Sequence, residues 1–527
     1  MPPRHCRSHR FSHPAALALR ALVIVAASGR LLAAQSAPPL AAIRVNARRL
    51  GARIPKDYLG FSNEVSTAGM GLPQPSAQAS GSARLPAGVP PGAHLVYVLG
   101  EPGAPNSGFF RFMRDLGPGV LRLGGNSQDN TCWRSAPHPA WCHGAITPGL
   151  LRLYARSARA SGWRLIVGLN LKQNSPRWAL SEAEAIVQNI PRSEILGLEL
   201  GNEPSLFAGT PARPKTYSPA DYVHEALGYI RAIRSNPSTR SLSFVGPADC
   251  CQWNNPASLR QILAGIGRYL TLVSVHNYPT TTCGQRNVSA RQLLSPRRMA
   301  QFDRLSRQLA RVAHSYHLPI ALAETNSASC GGMAGVSNAW ASAAWGLDYL
   351  FSTARDGYTH INFHFSYRAG GIGSAYNPIV TYGWYRGGRE HYRNIAQPLY
   401  YAMYMFSRYA SGERFLPATI STARRIDAFA TTRCATCPVH VFVINAAATA
   451  AGRVVVHVTG RGGSASLLAL RAPALDSLAA KVRLGGRKFD SAGRIATPRS
   501  RRLARGPNGA YAFSLPRATA VVLTIRR

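Results

Sequence analysis

The sequence predicts an α/β fold: a (β/α)8 TIM barrel carrying a C-terminal antiparallel β-sandwich domain. Three observations carry this expectation. Short apolar runs alternate with longer helix-patterned stretches from about residue 58 to 366. Eight such runs are present, the number that closes this kind of barrel. Past about residue 412 the helical pattern gives way to short β-rich runs separated by Gly, Ser and Pro.

The barrel strands are expected at residues 58–62, 120–124, 165–170, 195–200, 242–246, 272–276, 320–323 and 360–365. Helices are expected between them, among others at 150–161, 222–233, 299–316 and 340–355. The sandwich strands are expected at 439–444, 454–458, 467–470 and 520–525, with 42–45 adding one from the N-terminal side. This divides the chain into an export signal at 1–36, a strand segment at 37–54 that joins the sandwich, a barrel at 55–411 and a sandwich at 412–527. The stretch 72–91, rich in Pro, Ala, Gly and Ser, reads as a long loop after the first barrel strand.

Charge is the unusual part of the composition. The chain holds 61 Lys+Arg against 22 Asp+Glu, a net charge of +39. Lysine occurs only at Lys56, Lys172, Lys215, Lys481 and Lys488, so the excess is nearly all arginine. One reading is attraction to a polyanion such as an acidic polysaccharide; the other is a compositional bias toward arginine. The arginines are scattered and form no stripe, which argues against a nucleic-acid partner.

Arg4, Arg7, Arg10 and Arg20 precede the apolar run 21–27 and the small residues around Ala34, so the N-terminus reads as an export signal and the protein as secreted or periplasmic. No later segment has the roughly 18 uninterrupted apolar residues of a membrane span. Beyond Cys6, eight cysteines remain, an even number that suits disulfides in an exported protein. Cys132 and Cys142 are the natural local pair. Cys434-Ala-Thr-Cys437 reads as a short-loop disulfide, because no second C-x-x-C or spaced His pair completes a zinc site.

The chemistry concentrates in two glutamates. Glu203 ends the run Ile195-Leu-Gly-Leu-Glu-Leu-Gly-Asn-Glu-Pro204, and Glu324 ends Pro319-Ile-Ala-Leu-Ala-Glu. A carboxylate closing a buried strand costs free energy unless something uses it. The two follow the fourth and seventh expected strands, and in such barrels chemistry gathers at the C-terminal strand ends. That is the layout of a glycosidase working through two carboxyl groups. Asn202 is placed to hydrogen-bond a sugar 2-OH. Taken alone a strand-end Asn-Glu is more often a cap or turn; Pro204 and the matching second glutamate favour catalysis. His360 and His364 are four apart, but their apolar neighbours read as a strand and no third ligand is evident, so no metal role is expected. No G-x-S-x-G elbow, phosphate loop or dinucleotide fingerprint is present, and no cofactor is expected.

These residues resemble glycoside hydrolase family 79 of clan A, the family of heparanases and exo-β-glucuronidases. The carrying motifs are Glu199-Leu-Gly-Asn-Glu-Pro-Ser205 and the run from Ala323-Glu-Thr-Asn through Cys330-Gly-Gly-Met to Asn338, continuing to Leu347-Asp-Tyr349. The resemblance implies that Glu203 is the acid/base and Glu324 the nucleophile. It implies further that Tyr278, in His276-Asn-Tyr278, hydrogen-bonds the nucleophile, and that Gly331 and Gly332 offer backbone N–H groups to the sugar carboxylate. The loop lacks the tyrosine and third glycine that heparanase carries. Tyr376 is a second carboxylate contact in this reading, and Glu64 and Asn126 line the terminal-sugar subsite. The expected activity is that of a retaining, exo-acting β-glucuronidase on a uronic-acid-containing glycan, with the stretches 72–91 and 368–388 walling the cleft. The alternatives are an endo-acting, heparanase-like enzyme and a non-catalytic glycan-binding protein.

Overall fold

The computed structural model describes residues 38–65, 89–90, 93–96, 106–134, 139–142, 144–365, 375–460 and 462–526. The expected export signal, most of the 72–91 loop and residues 368–374 of the second expected wall lie outside this set. Among the described residues no helix is long and apolar enough to cross a membrane.

Eight parallel strands close a barrel: β1 (Leu59–Glu64), β2 (Val120–Gly124), β3 (Arg164–Leu169), β4 (Ile195–Leu200), β5 (Phe244–Asp249), β6 (Leu270–His276), β7 (Ile320–Thr325) and β8 (Tyr358–Phe365). Each pairs with its sequence neighbours, and β8 closes on β1 through Ile361↔Leu59 to Phe365↔Asn63. The TIM-barrel expectation is met. The strands read as near-continuous apolar runs because both faces are covered, one by the barrel interior and the other by helices. Those helices start where the sequence supplies caps. Ser175, Ser218 and Asn255 each accept a backbone N–H ahead of a proline in the first turn.

The C-terminal part is two packed sheets. The outer one orders Ala418–Ser421, Ala41–Asn46, Gly452–Thr459 and Tyr511–Leu515. Ala41–Asn46 pairs antiparallel with Ala418–Ser421 and parallel with Gly452–Thr459, so one ladder departs from the expected antiparallel pattern. It does so because this strand arrives from the far end of the chain, free of hairpin constraint. The inner sheet contains Ile426–Thr432, Val439–Asn445, Thr519–Ile525 and Ala465–Arg471. Its two faces have different partners. Val441 and Val443 pack with Ile43, Val456 and Phe513 of the outer sheet. Phe442 and Ile444, alternating with them, face the barrel core. There Phe351, in helix Trp340–Arg355, stacks on Phe429 at 4.5 Å and meets Phe442 edge-on at 4.7 Å.

Of the second expected wall, residues 379–386 belong to an antiparallel hairpin, Ile379–Arg386 with Arg389–Ala396, extended by His94–Val96. The sequence reading did not assign these strands, although Ile379-Val-Thr-Tyr before Gly387-Gly388 carried the signal. Among the described residues, disulfides join Cys132–Cys142, Cys250–Cys251, Cys283–Cys330 and Cys434–Cys437.

Candidate active site

The C-terminal ends of β1, β2, β4, β6, β7 and β8 converge on one cluster of ionisable side chains. Glu203 follows β4 and Glu324 is the penultimate residue of β7. One carboxylate oxygen of each, with an imidazole nitrogen of His276, lies within 4.8 Å of the others. Both glutamates are buried, at 9% and 7% exposure, so neither charge is freely hydrated. Glu203 holds a left-handed backbone, φ 48°, uncommon for a side chain with a Cβ and a strain that clusters at functional sites. Its N–H donates to the Ala248 carbonyl at 2.9 Å, which anchors the turn to β5.

The two carboxyl groups have opposite surroundings. Glu324 Oε1 accepts from the Tyr278 hydroxyl at 2.8 Å and Oε2 from Arg122 Nη1 at 2.8 Å. His364 Nδ1 is 3.5 Å from Oε2 and His276 Nδ1 is 4.0 Å from it. Burial works to raise the Glu324 pKa, but the charge of His364 foremost, then that of Arg122 and the Tyr278 hydrogen bond, hold it below the ordinary carboxylate value. His276 itself is kept neutral, since burial and then the Arg122 charge depress it well below its usual value. The cationic weight on Glu324 therefore rests on Arg122 and on His364, which Glu324 and Glu64 raise against the effect of burial. Glu203 is the reverse case. Burial first, and then the charge of Glu324, push it well above its ordinary value. Its Oε1 is 3.0 Å from neutral His276 Nδ1. Two nearby carboxyl groups driven apart in this way define one acid and one base.

Arg122 organises the floor. It is fully buried in β2, and its guanidinium donates to Glu199 at 2.6 Å, Ser62 at 2.9 Å, Glu324 at 2.8 Å and Asn202 at 2.8 Å. Glu199 and Glu324 keep it charged although burial disfavours the cation. Because Arg122 occupies the Asn202 carbonyl oxygen, the Asn202 amide nitrogen is turned toward Asn126 Oδ1, 3.3 Å away, and remains the group that can donate onward. The Asn202 backbone is pinned by buried Asp129 at 2.7 Å.

The remaining sequence-derived residues fall around this cluster. Glu64 accepts from Ser127 Oγ at 2.6 Å and lies 3.4 Å from His364 Nε2, which links it to Glu324 through one imidazole. Asn126 is exposed beside Asn202. Gly332 packs under Tyr376: a Cβ built there would stand 3.0 Å from the tyrosine Cβ and 2.7 Å from Ser337 Oγ. The Tyr376 ring lies edge-on to His364 at 6.2 Å. Gly331 is buried beside Gly332, and the Cys283–Cys330 disulfide ties this loop to the one after β6. Glu203, Glu324, Asn202, Tyr278, Glu64 and Asn126 thus form one connected set, with Gly332 and Tyr376 joined to it through His364.

Sequence reasoning passed over Arg122, Glu199, His276, His364 and Asp129. A signal existed for the first two: each is a charge inside an apolar run, Val120-Leu-Arg-Leu and Ile195-Leu-Gly-Leu-Glu. His364 was weighed only as a metal ligand beside His360. In a strand the two share a face but not an end, and His360 meets Asp57 at 3.4 Å instead. The trio Glu203, His276 and Glu324 has the spacing of a metal site. Both Glu324 oxygens are already held by proton donors, a guanidinium among them, which suits proton chemistry better than cation binding.

A cavity of about 300 Å³ opens beside Glu203, lined by Asn126, Asn202, Trp141, Lys172 and Leu206 among others. It lies on the Glu203 side of the cluster.

The chain is 26% identical over 292 residues to a β-glucuronidase of Aspergillus niger and 23% identical over 308 residues to one of Neurospora crassa. These matches cover 49% and 50% of this chain and 52% of each relative, so the chain spans about half the length of the curated relatives it matches. Its fold is similar to that of a 4-O-α-L-rhamnosyl-β-D-glucuronidase from Fusarium oxysporum, with TM-score 0.70 and 18% identity over 92% of this chain and 100% of that one. A family 51 arabinofuranosidase from Xanthomonas axonopodis follows, with TM-score 0.65 and 14% identity over 93% of this chain and 100% of that one. No protein-family model matches the chain. Fold, site and relatives together support a glycoside hydrolase.

Proposed function

We propose that this chain is a retaining, exo-acting β-glucuronidase of the family 79 type, exported from the cell and acting on a uronic-acid-containing glycan. The observation that carries the reading is the pair of carboxyl groups, with oxygens no more than 4.8 Å apart, of which one is held ionised and the other protonated. Retaining glycosidases keep their carboxyl groups at roughly 5–5.5 Å, whereas inverting enzymes leave room for a water at roughly 6.5–9.5 Å. The likeness to two fungal β-glucuronidases and to the Fusarium rhamnosyl-glucuronidase supports glucuronic acid as the sugar.

In this mechanism Glu324, ionised by Arg122 and oriented by Tyr278, attacks the anomeric carbon while Glu203 gives its proton to the leaving oxygen. A glycosyl ester on Glu324 results. Glu203, now a carboxylate, takes a proton from water as that water attacks the same carbon and frees Glu324. The Asn202 amide donates to the 2-OH, a bond that strengthens as the oxocarbenium-like state forms. Tyr376 and the Gly331–Gly332 loop are proposed to receive the sugar carboxylate, for which positive-φ glycines allow close backbone approach. The cavity beside Glu203 lies on the side where the leaving group departs and offers room for the group attached to the sugar.

The test is incubation with an aryl β-glucuronide and, in parallel, with heparan oligosaccharides, following product anomers by NMR. Release of the aryl group with the β-anomer formed first supports the proposal. Shortening of internal chains supports the endo-acting alternative, and inactivity on both substrates supports a glycan-binding protein.

A further inference from the structure

The adjacent cysteines Cys250 and Cys251 are joined to each other immediately after β5, and a Glu203 carboxylate oxygen lies within 4.8 Å of both sulfurs. Cys250 is half-buried and Cys251 exposed, so a reagent in solvent reaches the ring. The turn this ring closes holds Glu203 from three directions. Ala248, just before it, accepts the Glu203 N–H at 2.9 Å. Asp249 Oδ1 accepts the Ser205 N–H at 3.0 Å, while its Oδ2 accepts the N–H groups of Cys251 and Trp253, both at 3.2 Å. Asn254 donates to the His276 carbonyl at 2.8 Å, and His276 Nδ1 reaches Glu203 Oε1. One carboxylate, that of Asp249, therefore clamps the Glu203-Pro-Ser turn to the disulfide turn.

A disulfide between neighbours is the smallest ring a disulfide can close, and it fixes backbone torsions that two free cysteines leave open. It also presents sulfur, with no strong proton donor, to the carboxyl group beside it. Both effects act on the same side chain. The first holds Glu203 in place, and the second keeps its surroundings poor in groups that would stabilise the ionised form.

We propose that the Cys250–Cys251 disulfide is a positioning element for Glu203, so that full acid catalysis by this chain requires the oxidised ring. The inference rests on the glucuronidase reading. Reduction by a dithiol proceeds by attack of its thiolate on one sulfur, breaking the S–S bond and releasing the other cysteine as a thiolate that takes a proton. The second reductant thiol then displaces the remaining cysteine, leaving two cysteine thiols and a cyclic disulfide of the reductant. With the ring open, the turn that Asp249 clamps to the Glu203-Pro-Ser segment is no longer fixed in its backbone torsions, and proton delivery to the leaving oxygen weakens.

The experiment measures kcat/KM on aryl β-glucuronides whose phenols range from acidic nitrophenols to weakly acidic alkylphenols. The full chain is assayed before and after dithiothreitol, alongside a Cys250→Ser/Cys251→Ser variant whose melting curve is recorded. The expected result is a loss of about tenfold or more on weakly acidic phenols, with little loss on nitrophenols, because only the former need protonation, which contributes roughly 10²–10⁴-fold. Dithiothreitol should then leave the variant unchanged. In the reduced wild type, alkylation mapped by mass spectrometry should track the loss at Cys250 and Cys251 and not at Cys283 or Cys330. This second measurement decides the matter if the variant does not fold. Equal loss on every phenol, no loss at all, or loss that follows another disulfide overturns the proposal. An oxidised wild type that releases no phenol from any glucuronide overturns the glucuronidase reading itself, and the positioning role falls with it.

Discussion

Arg122 Nη1 lies 2.8 Å from Glu324 Oε2, across 202 residues of sequence and from one side of the barrel to another. The contact is buried, and the same guanidinium also holds Glu199 and Asn202. Arg122 is thus the group through which Glu324, Glu199 and the Asn202 amide beside Glu203 share one geometry.

The two glutamates are expected to respond differently to truncation. Glu324→Ala should abolish turnover on every β-glucuronide, because no other group can form the glycosyl ester. Glu203→Ala should cost roughly 10²–10⁴-fold on poor leaving groups and far less on nitrophenyl glucuronides, which need little protonation. Parallel losses across leaving groups in the Glu203 variant would remove its role as the acid.

The pH profile of kcat/KM should be bell-shaped. Glu324 must be ionised and its pKa is depressed, so the acid limb falls below the ordinary carboxylate range. Glu203 must be protonated and its pKa is raised, so activity persists into pH values where an ordinary glutamate has lost its proton. Tyr278→Phe removes one donor to the Glu324 carboxylate, which raises its pKa and moves the acid limb upward. A hydrogen bond to a charged group contributes roughly 1.5–3 kcal/mol, so kcat/KM should also drop by about one to two orders of magnitude. An acid limb that stays in place would exclude the hydrogen bond as the cause of the depressed pKa.

Arg122→Met should destabilise the fold by roughly 3–5 kcal/mol, as measured by denaturant unfolding, because it leaves buried Glu199 without its cation and Glu324 with His364 alone. The loss should shrink at low pH, where protonation removes the uncompensated charge. A pH-independent loss would point to lost packing instead.

Gly332→Ala tests the loop beneath Tyr376. At φ 75° a side chain costs about 1–2 kcal/mol, and the new Cβ would stand 2.7 Å from Ser337 Oγ and 3.0 Å from the Tyr376 Cβ. The expected outcome is a KM raised about tenfold with kcat much less affected. An unchanged KM would separate this loop from the substrate.

Much of the architecture was readable because barrel strands announce themselves locally. Val120–Gly124 is buried throughout and Ile195–Leu200 along its last four residues, each run mostly apolar but for one charge, and the polar breaks after them mark the strand ends. Glu203 and Glu324 were legible for the same reason, being charges where apolar runs stop. The hairpin at Ile379–Arg386 was overlooked because its alternation is half-buried and mixed with Gly and Tyr. His364 was passed over because its neighbours in sequence, Phe363 and Phe365, are not its neighbours in the site. Its partners there are Glu64 and Glu324, from other strands.

The sequence by itself determined the number and places of the barrel strands and the positions of two carboxyl groups at strand ends, since each follows from short-range periodicity. Only the tertiary structure decided which carboxyl group is held ionised and which keeps its proton. That depends on Arg122 and His364 lying close to Glu324, and on burial around Glu203 beside the joined sulfurs of Cys250 and Cys251. Electrostatic interaction falls with distance in space and not along the chain, so this difference arises only when remote segments meet.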